Sequence, residues 1–96
     1  MVVKVKVRLL GVFRGFSGKS GLILKLEKPT VGSAVHSLAK LLPVEFGRLL
    51  IDSELNDPRP NALILLNGRE ISALNGLETS VGNGDEITLI PVSHGG

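Results

Sequence analysis

In the first part of the chain, apolar and charged residues alternate. Every second residue from Val3 to Leu9 is apolar, and the positions between them are mostly basic. The same period of two recurs from Leu22 to Glu27, and it is typical of strands with one buried face. The connection from Gly11 to Gly21 contains four glycines. It is predicted to be a loop, so that the two strands form a hairpin.

A helical period follows this hairpin. Apolar residues recur there at the spacing of one helix face, namely Val31, Val35, Leu38, Ala39 and Leu42. Thr30 or Ser33 is expected to cap the start of this helix. Pro43 is expected to end it, because proline lacks a backbone N–H and disfavours helical geometry in the preceding residue. The segment Val44 to Ile51 is predicted to form a second, short helix.

The last third of the chain returns to strands. Ala62 to Leu66 is a continuous apolar run of strand length, and Asn67-Gly68 follows it. That pair predicts a tight hairpin turn, because both central positions of such a turn favour φ above zero. A short returning strand is expected from Arg69 to Ile71. After a predicted loop from Gly76 to Gly84, Glu86 to Val92 has the pattern of a final strand.

The order of these elements predicts an α+β domain, a mixed sheet with one main helix packed on one face. The chain has 96 residues and 43% hydrophobic content, which suits one compact domain. We expect this domain to span residues 1–92 and to be followed by a flexible tail, residues 93–96.

Composition and charge exclude several classes of function. With 11 basic and 9 acidic residues, the net charge of +2 is too balanced to indicate nucleic-acid binding. Single-strand binding also uses aromatic platforms, and the only aromatic residues are three phenylalanines. No apolar stretch predicts a signal peptide or a membrane span. We therefore expect a cytoplasmic protein that contacts neither nucleic acid nor membrane.

The sequence contains no constellation typical of catalysis. It has no cysteine, which excludes disulfides, thiolate metal sites and a cysteine nucleophile on this chain. His36 and His94 are isolated and have no acidic residues at ligand spacing, so no metal site is expected. No serine lies in a nucleophile-elbow pattern. The protein is therefore predicted not to be an enzyme and to need no cofactor of its own.

Candidate chemistry lies instead in the two glycines that end the sequence. A terminal carboxylate that enters a narrow active site needs residues without side chains behind it, and Gly95 and Gly96 also leave φ free to vary. Condensation of the Gly96 carboxylate with ATP in a partner enzyme would give an acyl-adenylate that sulfur or amine nucleophiles attack. Gly96 is the candidate modification site, and His94 and Gly95 are candidate recognition residues. A frayed end without function is the alternative.

Alternation also predicts a partner surface. In the strand from Ala62 to Leu66 and in the final strand, we assign Ile64, Leu66, Ile87 and Leu89 to the core. Leu63, Leu65 and Ile90 then lie on the opposite, open face of the sheet. Exposed apolar residues that cluster on a sheet are typical of protein interaction sites. A shift of one residue in strand pairing would exchange the buried and exposed sets.

Several motifs resemble the sulfur-carrier branch of the ubiquitin-like β-grasp proteins. Gly84-Asp85-Glu86-Ile87, Ile90-Pro91-Val92 and the final Gly95-Gly96 resemble the C-terminal signature of molybdopterin synthase small subunits. Leu66-Asn67-Gly68-Arg69-Glu70 and Gly76-Leu77 fit the same family. The ending His94-Gly95-Gly96 resembles the ubiquitin-related modifier proteins. Val92 stands where the subunit family usually has a second proline, which favours the modifier interpretation.

The resemblance implies a β-grasp fold and a ubiquitin-activating-type adenylating enzyme as partner. It implies that Gly96 passes from an acyl-adenylate to a thiocarboxylate, or to an isopeptide bond with a lysine of a target protein. Other implied partners are a tRNA thiolation enzyme or the molybdopterin synthase large subunit. The main hypothesis is a protein modifier and sulfur carrier. The alternatives are the small sulfur-carrier subunit of molybdopterin synthase in molybdenum cofactor biosynthesis, and a ubiquitin-fold binding domain with an idle tail.

Overall fold

Five strands form one mixed sheet in the computed structural model, which describes residues 2–17 and 21–92. The strands are β1 (Val3–Leu9), β2 (Gly21–Leu26), β3 (Ala62–Leu66), β4 (Arg69–Glu70) and β5 (Glu86–Pro91). Their order across the sheet is β2-β1-β5-β3-β4. β1 and β5 are parallel, and the other neighbouring strands are antiparallel. The predicted α+β fold with a mixed sheet is confirmed.

Three helices accompany the sheet: α1 (Arg14–Ser17), α2 (Val31–Leu41) and α3 (Val44–Leu50). Thr30 rather than Ser33 caps α2, because its hydroxyl oxygen accepts a hydrogen bond of 3.1 Å from the backbone N–H of Ser33. Leu42, directly before Pro43, is extended, so α2 ends where the proline predicts. The main helix therefore has the predicted position and both predicted boundary signals.

The core lies between one face of the sheet and the helices. Its strand residues are the inward members of each alternation, namely Val5, Val7, Leu9, Leu24, Leu26, Ala62, Ile64, Leu66, Ile87 and Leu89. The helices contribute Val31, Ala34, Val35, Leu38, Phe46 and Leu50. Full burial of a Val, Leu or Phe side chain contributes about 1.5–3 kcal/mol. This shared core holds the sheet register, because a slip of one residue would expose the whole apolar set.

The predicted hairpin of β1 and β2 is confirmed, but over residues 11–17 the connection differs from the predicted loop. Gly11–Phe13 forms a 3₁₀ turn and leads directly into α1. The reason is aromatic packing, since the rings of Phe13 and Phe16 each lie 5.6 Å from the ring of Phe46, edge to face. Burial of Phe13 brings this connection onto the core.

Two smaller boundaries also differ. The short strand expected from Arg69 to Ile71 ends at Glu70, because the buried Ile71 begins a 3₁₀ turn that extends to Ala73. A further 3₁₀ turn, Gly76–Glu78, lies inside the segment predicted as loop. Both turns lie in the connection between β4 and β5.

Candidate functional site

The first residues of β5 are held by polar contacts from the preceding turns. Asn67 adopts φ +50°, and its side-chain oxygen accepts a hydrogen bond of 2.9 Å from the backbone N–H of Glu86. Its amide nitrogen donates to Oδ1 of Asp85 at 3.0 Å. Asp85 in turn accepts from the backbone N–H of Gly82 at 2.7 Å. The Asn-Gly and Gly-Asp-Glu motifs therefore contact each other and fix where β5 begins.

The last residues of β5 are held by packing and by backbone hydrogen bonds. The backbone N–H of Val92 donates to the carbonyl of Asn61 at 3.0 Å. Gly11 adopts φ +55°, and a Cβ atom at this position would lie 2.7 Å from Cγ of Pro91, so only glycine fits here without displacement. The position of Val92, from which the chain continues to the diglycine, is thus defined. The predicted site residues His94, Gly95 and Gly96 lie outside the described residues.

The open face of the sheet brings the three predicted surface residues together. Strand pairing sets Leu63 directly opposite Ile90, and Leu65 opposite Thr88. Leu63 is 40% exposed, and Leu65 and Ile90 are half-buried. Because paired residues share a face, these side chains form one apolar surface on the side away from α2. A role in partner binding stays a prediction.

The other half of the open face is charged. Glu86 lies 3.8 Å from the ammonium of Lys6 and 3.7 Å from the guanidinium of Arg8. Ion pairs this exposed contribute about 0–1 kcal/mol, so they shape the charge of the surface more than its stability. Ile23, opposite Lys6, is 60% exposed and adds an apolar side chain that the sequence interpretation did not single out. The alternating pattern of β2 already indicates that Ile23 faces away from the core.

The carboxylate of Glu70 borders the apolar half of this face at β4. Glu70 pairs with Leu65 across β3 and β4. Hydrogen bonds from the side-chain hydroxyl and the backbone N–H of Ser72 hold the pKa of Glu70 below its usual range. Glu70 is therefore charged at neutral pH, and the apolar surface has an acidic margin at β4.

Within residues 2–17 and 21–92, no group of three or more His, Cys, Asp and Glu side chains is arranged to hold a metal ion. In the same described ranges, no helix has the length and hydropathy needed to cross a membrane. His36 is exposed on α2.

Solved structures that superpose on nearly the whole chain define the class of this protein. The solution structure of small archaeal modifier protein 1 from Methanosarcina acetivorans superposes with a TM-score of 0.81 at 29% identity, covering 100% of this chain and 99% of that one. The ubiquitin-related modifier of Trypanosoma brucei has the same fold, with a TM-score of 0.77 at 24% identity over 99% and 97% of the two chains. The chain is a ubiquitin-like β-grasp protein of the modifier and sulfur-carrier class.

Sequence comparison gives the family. The chain belongs to the ThiS family, whose pattern it matches over residues 7–96. It is 30% identical over 95 residues to small archaeal modifier protein 3 of Haloferax volcanii, covering 98% of this chain and 100% of that protein. It is 32% identical over 93 residues to a candidate sulfur carrier protein of Archaeoglobus fulgidus, covering 96% and 98%. The family resemblance inferred from the sequence motifs is confirmed.

Proposed function

We propose that this protein is a modifier and sulfur carrier that acts through the carboxylate of Gly96 in the cytoplasm. The observation that carries the proposal is the family match, which continues to residue 96 and so includes Gly95 and Gly96. The fixed end of β5 supports it, because a tail that starts from a defined point can be presented to a partner enzyme. Residues 1–92 serve as the domain that the partner recognises, and residues 93–96 are the reactive tail.

The chemistry takes place in the partner, with this chain as the acyl donor. The Gly96 carboxylate attacks the α-phosphorus of ATP, which releases pyrophosphate and forms a mixed anhydride with AMP. A sulfide-equivalent donor then displaces AMP and leaves a thiocarboxylate. Alternatively, the amine of a target lysine displaces the activated leaving group, loses a proton and forms an isopeptide bond. Gly95 and Gly96 allow this access because neither has a side chain.

The open apolar face supplies the proposed recognition surface. Leu63, Leu65 and Ile90 form a contiguous patch on the strands next to the tail, and such patches mark protein interaction sites. His94 and Gly95 are proposed to contact the channel through which the tail reaches the active site. The adenylating partner is of the ubiquitin-activating type.

The test is the chemical state of Gly96 in protein recovered from its own cells under non-reducing, amine-blocked conditions. Intact-mass spectrometry detects a thiocarboxylate as an exchange of oxygen for sulfur. Isopeptide conjugates need cleavage after glutamate, because the last tryptic site is Arg69 and trypsin leaves the long remnant Glu70 to Gly96. Cleavage after Glu86 leaves Ile87 to Gly96 on the target lysine.

Each result has a distinct meaning. A thiocarboxylate together with conjugates on many proteins supports the proposal, whereas a thiocarboxylate found only in a stable complex with one catalytic subunit favours the molybdopterin synthase alternative. A free carboxylate in every sample contradicts the proposal and favours a binding domain with an idle tail. Deletion of Gly96 should abolish adenylation, and Leu55→Ala, at an exposed turn residue, is the control that should not.

A further inference from the structure

A second exposed apolar surface lies where β5 ends, on the side of the sheet that carries the helices. We call it the tail-root groove. It has a volume of about 290 Å³ and is lined by Val12, Phe13, Arg48, Leu49, Asn61, Pro91 and Val92. These residues come from the connection after β1, from α3, from the segment before β3 and from the end of β5. The groove is therefore formed only when the whole domain is folded.

The walls of the tail-root groove are fixed to one another through Asn61. The side-chain amide of Asn61 donates to the carbonyl of Leu50 at the end of α3, at 3.3 Å. Its backbone carbonyl accepts from the N–H of Val92 at 3.0 Å. Phe13 is fully buried and forms the floor against Phe46. The shape is therefore set before any partner binds.

Three large apolar side chains are left exposed around this groove. Val12 is 57% exposed, Leu49 43% and Val92 42%. The buried residues of α3 are Phe46 and Leu50, so Leu49 is not one of the buried core side chains of this helix. Arg48 lies beside it, and among the described residues no carboxylate is within salt-bridge distance of its guanidinium. Within the described residues, the groove thus combines an exposed apolar surface with a guanidinium that has no acidic partner.

Distance links this surface to the reactive end of the chain. Gly96 is four residues beyond Val92, and four extended residues span at most about 13–14 Å. An enzyme that acts on the Gly96 carboxylate must therefore place its own surface within that distance of Val92. The tail-root groove is the apolar and basic surface available there on the helix side.

We propose that the tail-root groove is a second docking surface for the adenylating partner, separate from the open face. The partner inserts an apolar side chain between Val12, Leu49 and Val92, and a neighbouring carboxylate of the partner pairs with Arg48. Both features are complementary to what the groove presents, apolar against apolar and negative against positive. This inference rests on the proposed function, because it concerns the enzyme that activates Gly96.

The first test uses adenylation of this chain by the ubiquitin-activating-type enzyme of the same organism, followed as ATP–pyrophosphate exchange. Leu49→Asp should raise the KM for this protein about tenfold and leave kcat unchanged, since docking is lost and chemistry is not. Val44→Asp is the matched control, because Val44 is 61% exposed on the same helix and does not line the groove. Arg48→Glu should raise KM as well, and Arg48→Lys should restore most of the affinity.

The second test measures docking without chemistry. A chain that lacks Gly96 should inhibit adenylation of the full-length protein competitively, and Leu49→Asp in that shortened chain should weaken the inhibition by about the same tenfold factor. Thermal unfolding of each variant confirms that the fold is intact. A normal KM for Leu49→Asp, or an equal rise for Val44→Asp, overturns the docking surface alone. A wild-type chain that is never adenylated overturns the proposed function and this inference with it.

Discussion

The two ends of β5 are fixed by different physical means. At its start, Asp85 accepts hydrogen bonds from the side-chain amide of Asn67 and the backbone N–H of Gly82, and the backbone N–H of Glu86 donates to the side-chain oxygen of Asn67. At its end, the strand is held by a backbone hydrogen bond from Val92 to Asn61 and by close packing of Pro91 against Gly11, beside the ring of Phe13 that packs on Phe46. The first arrangement consists of separate, exposed hydrogen bonds, whereas the second depends mainly on shape and includes the buried rings of Phe13 and Phe46.

This difference shows where the stability of the domain is concentrated. A hydrogen bond contributes about 0.5–1.5 kcal/mol net, whereas loss of a large buried ring leaves a cavity and costs several times more. The packed end is also the one from which the chain continues to the diglycine. The packing that contributes most to stability is therefore expected next to the proposed docking groove. Variants at the start and at the end of β5 should differ in how much they lower the free energy of unfolding.

The largest effect should come from removing the central ring at the packed end. Phe46→Ala should lower the free energy of unfolding by about 3–5 kcal/mol, because Phe46 is fully buried and contacts the rings of both Phe13 and Phe16. Equilibrium unfolding in urea measures this change. Val44→Ala, on the exposed side of the same helix, should stay within about 0.5 kcal/mol. A smaller loss for Phe46→Ala than for any variant at the polar end would contradict the comparison.

A second variant tests the close contact between the connection after β1 and the end of β5. Gly11→Ala should destabilise the domain through its φ of +55° and through the 2.7 Å approach to Pro91. Gly68→Ala is the matched control, because it also has a positive φ, +83°, but meets no atom within 4 Å. The control should lose about 1–2 kcal/mol from backbone strain alone. Gly11→Ala should lose about 1–3 kcal/mol more, from overpacking, and equal losses would show that the contact is unimportant.

At the polar end, Asn67→Gly should cost about 1–2 kcal/mol in urea unfolding. Glycine accepts the positive φ of this position, so the loss measures the two side-chain hydrogen bonds to Asp85 and Glu86. Asn67→Asp keeps the acceptor for the Glu86 N–H but sets a carboxylate against Asp85. Its extra cost should shrink as salt concentration rises. A cost independent of salt would argue against this electrostatic explanation.

The smallest expected loss of stability comes from a variant of Asp57, in the turn that precedes Asn61. The side-chain hydrogen bond from Arg59 holds the pKa of Asp57 below its usual range. The pair therefore contributes stability that is fully present above the unfolded pKa of about 4 and is lost as pH falls through the lower folded pKa. Urea unfolding across this range should show wild type and Asp57→Asn converging at acid pH. The gap at neutral pH should be below about 1 kcal/mol, because the pair is at the surface.

Much of the fold could be predicted because its signals are local. Alternation predicted the faces of the strands, and the open-face positions of Leu63, Leu65 and Ile90 agree with the observed pairing. In the connection after β1, residues 11–17 were predicted wrongly, since the glycines suggested a loop. Phe13 and Phe16 have helical spacing, but both pack on Phe46, which lies 33 and 30 residues further along the chain.

Elements whose causes lie within a few residues can be predicted from the sequence alone. Thr30 starts α2, Pro43 ends it, and Asn67-Gly68 makes the β3–β4 turn, because each acts through its own backbone preference or a neighbouring N–H. The parallel pairing of β1 with β5 and the tail-root groove depend instead on contacts between distant segments of the folded domain. Val12, Leu49 and Val92 are distant in sequence and no periodicity relates them. They meet because packing of the core brings three segments to the end of one strand.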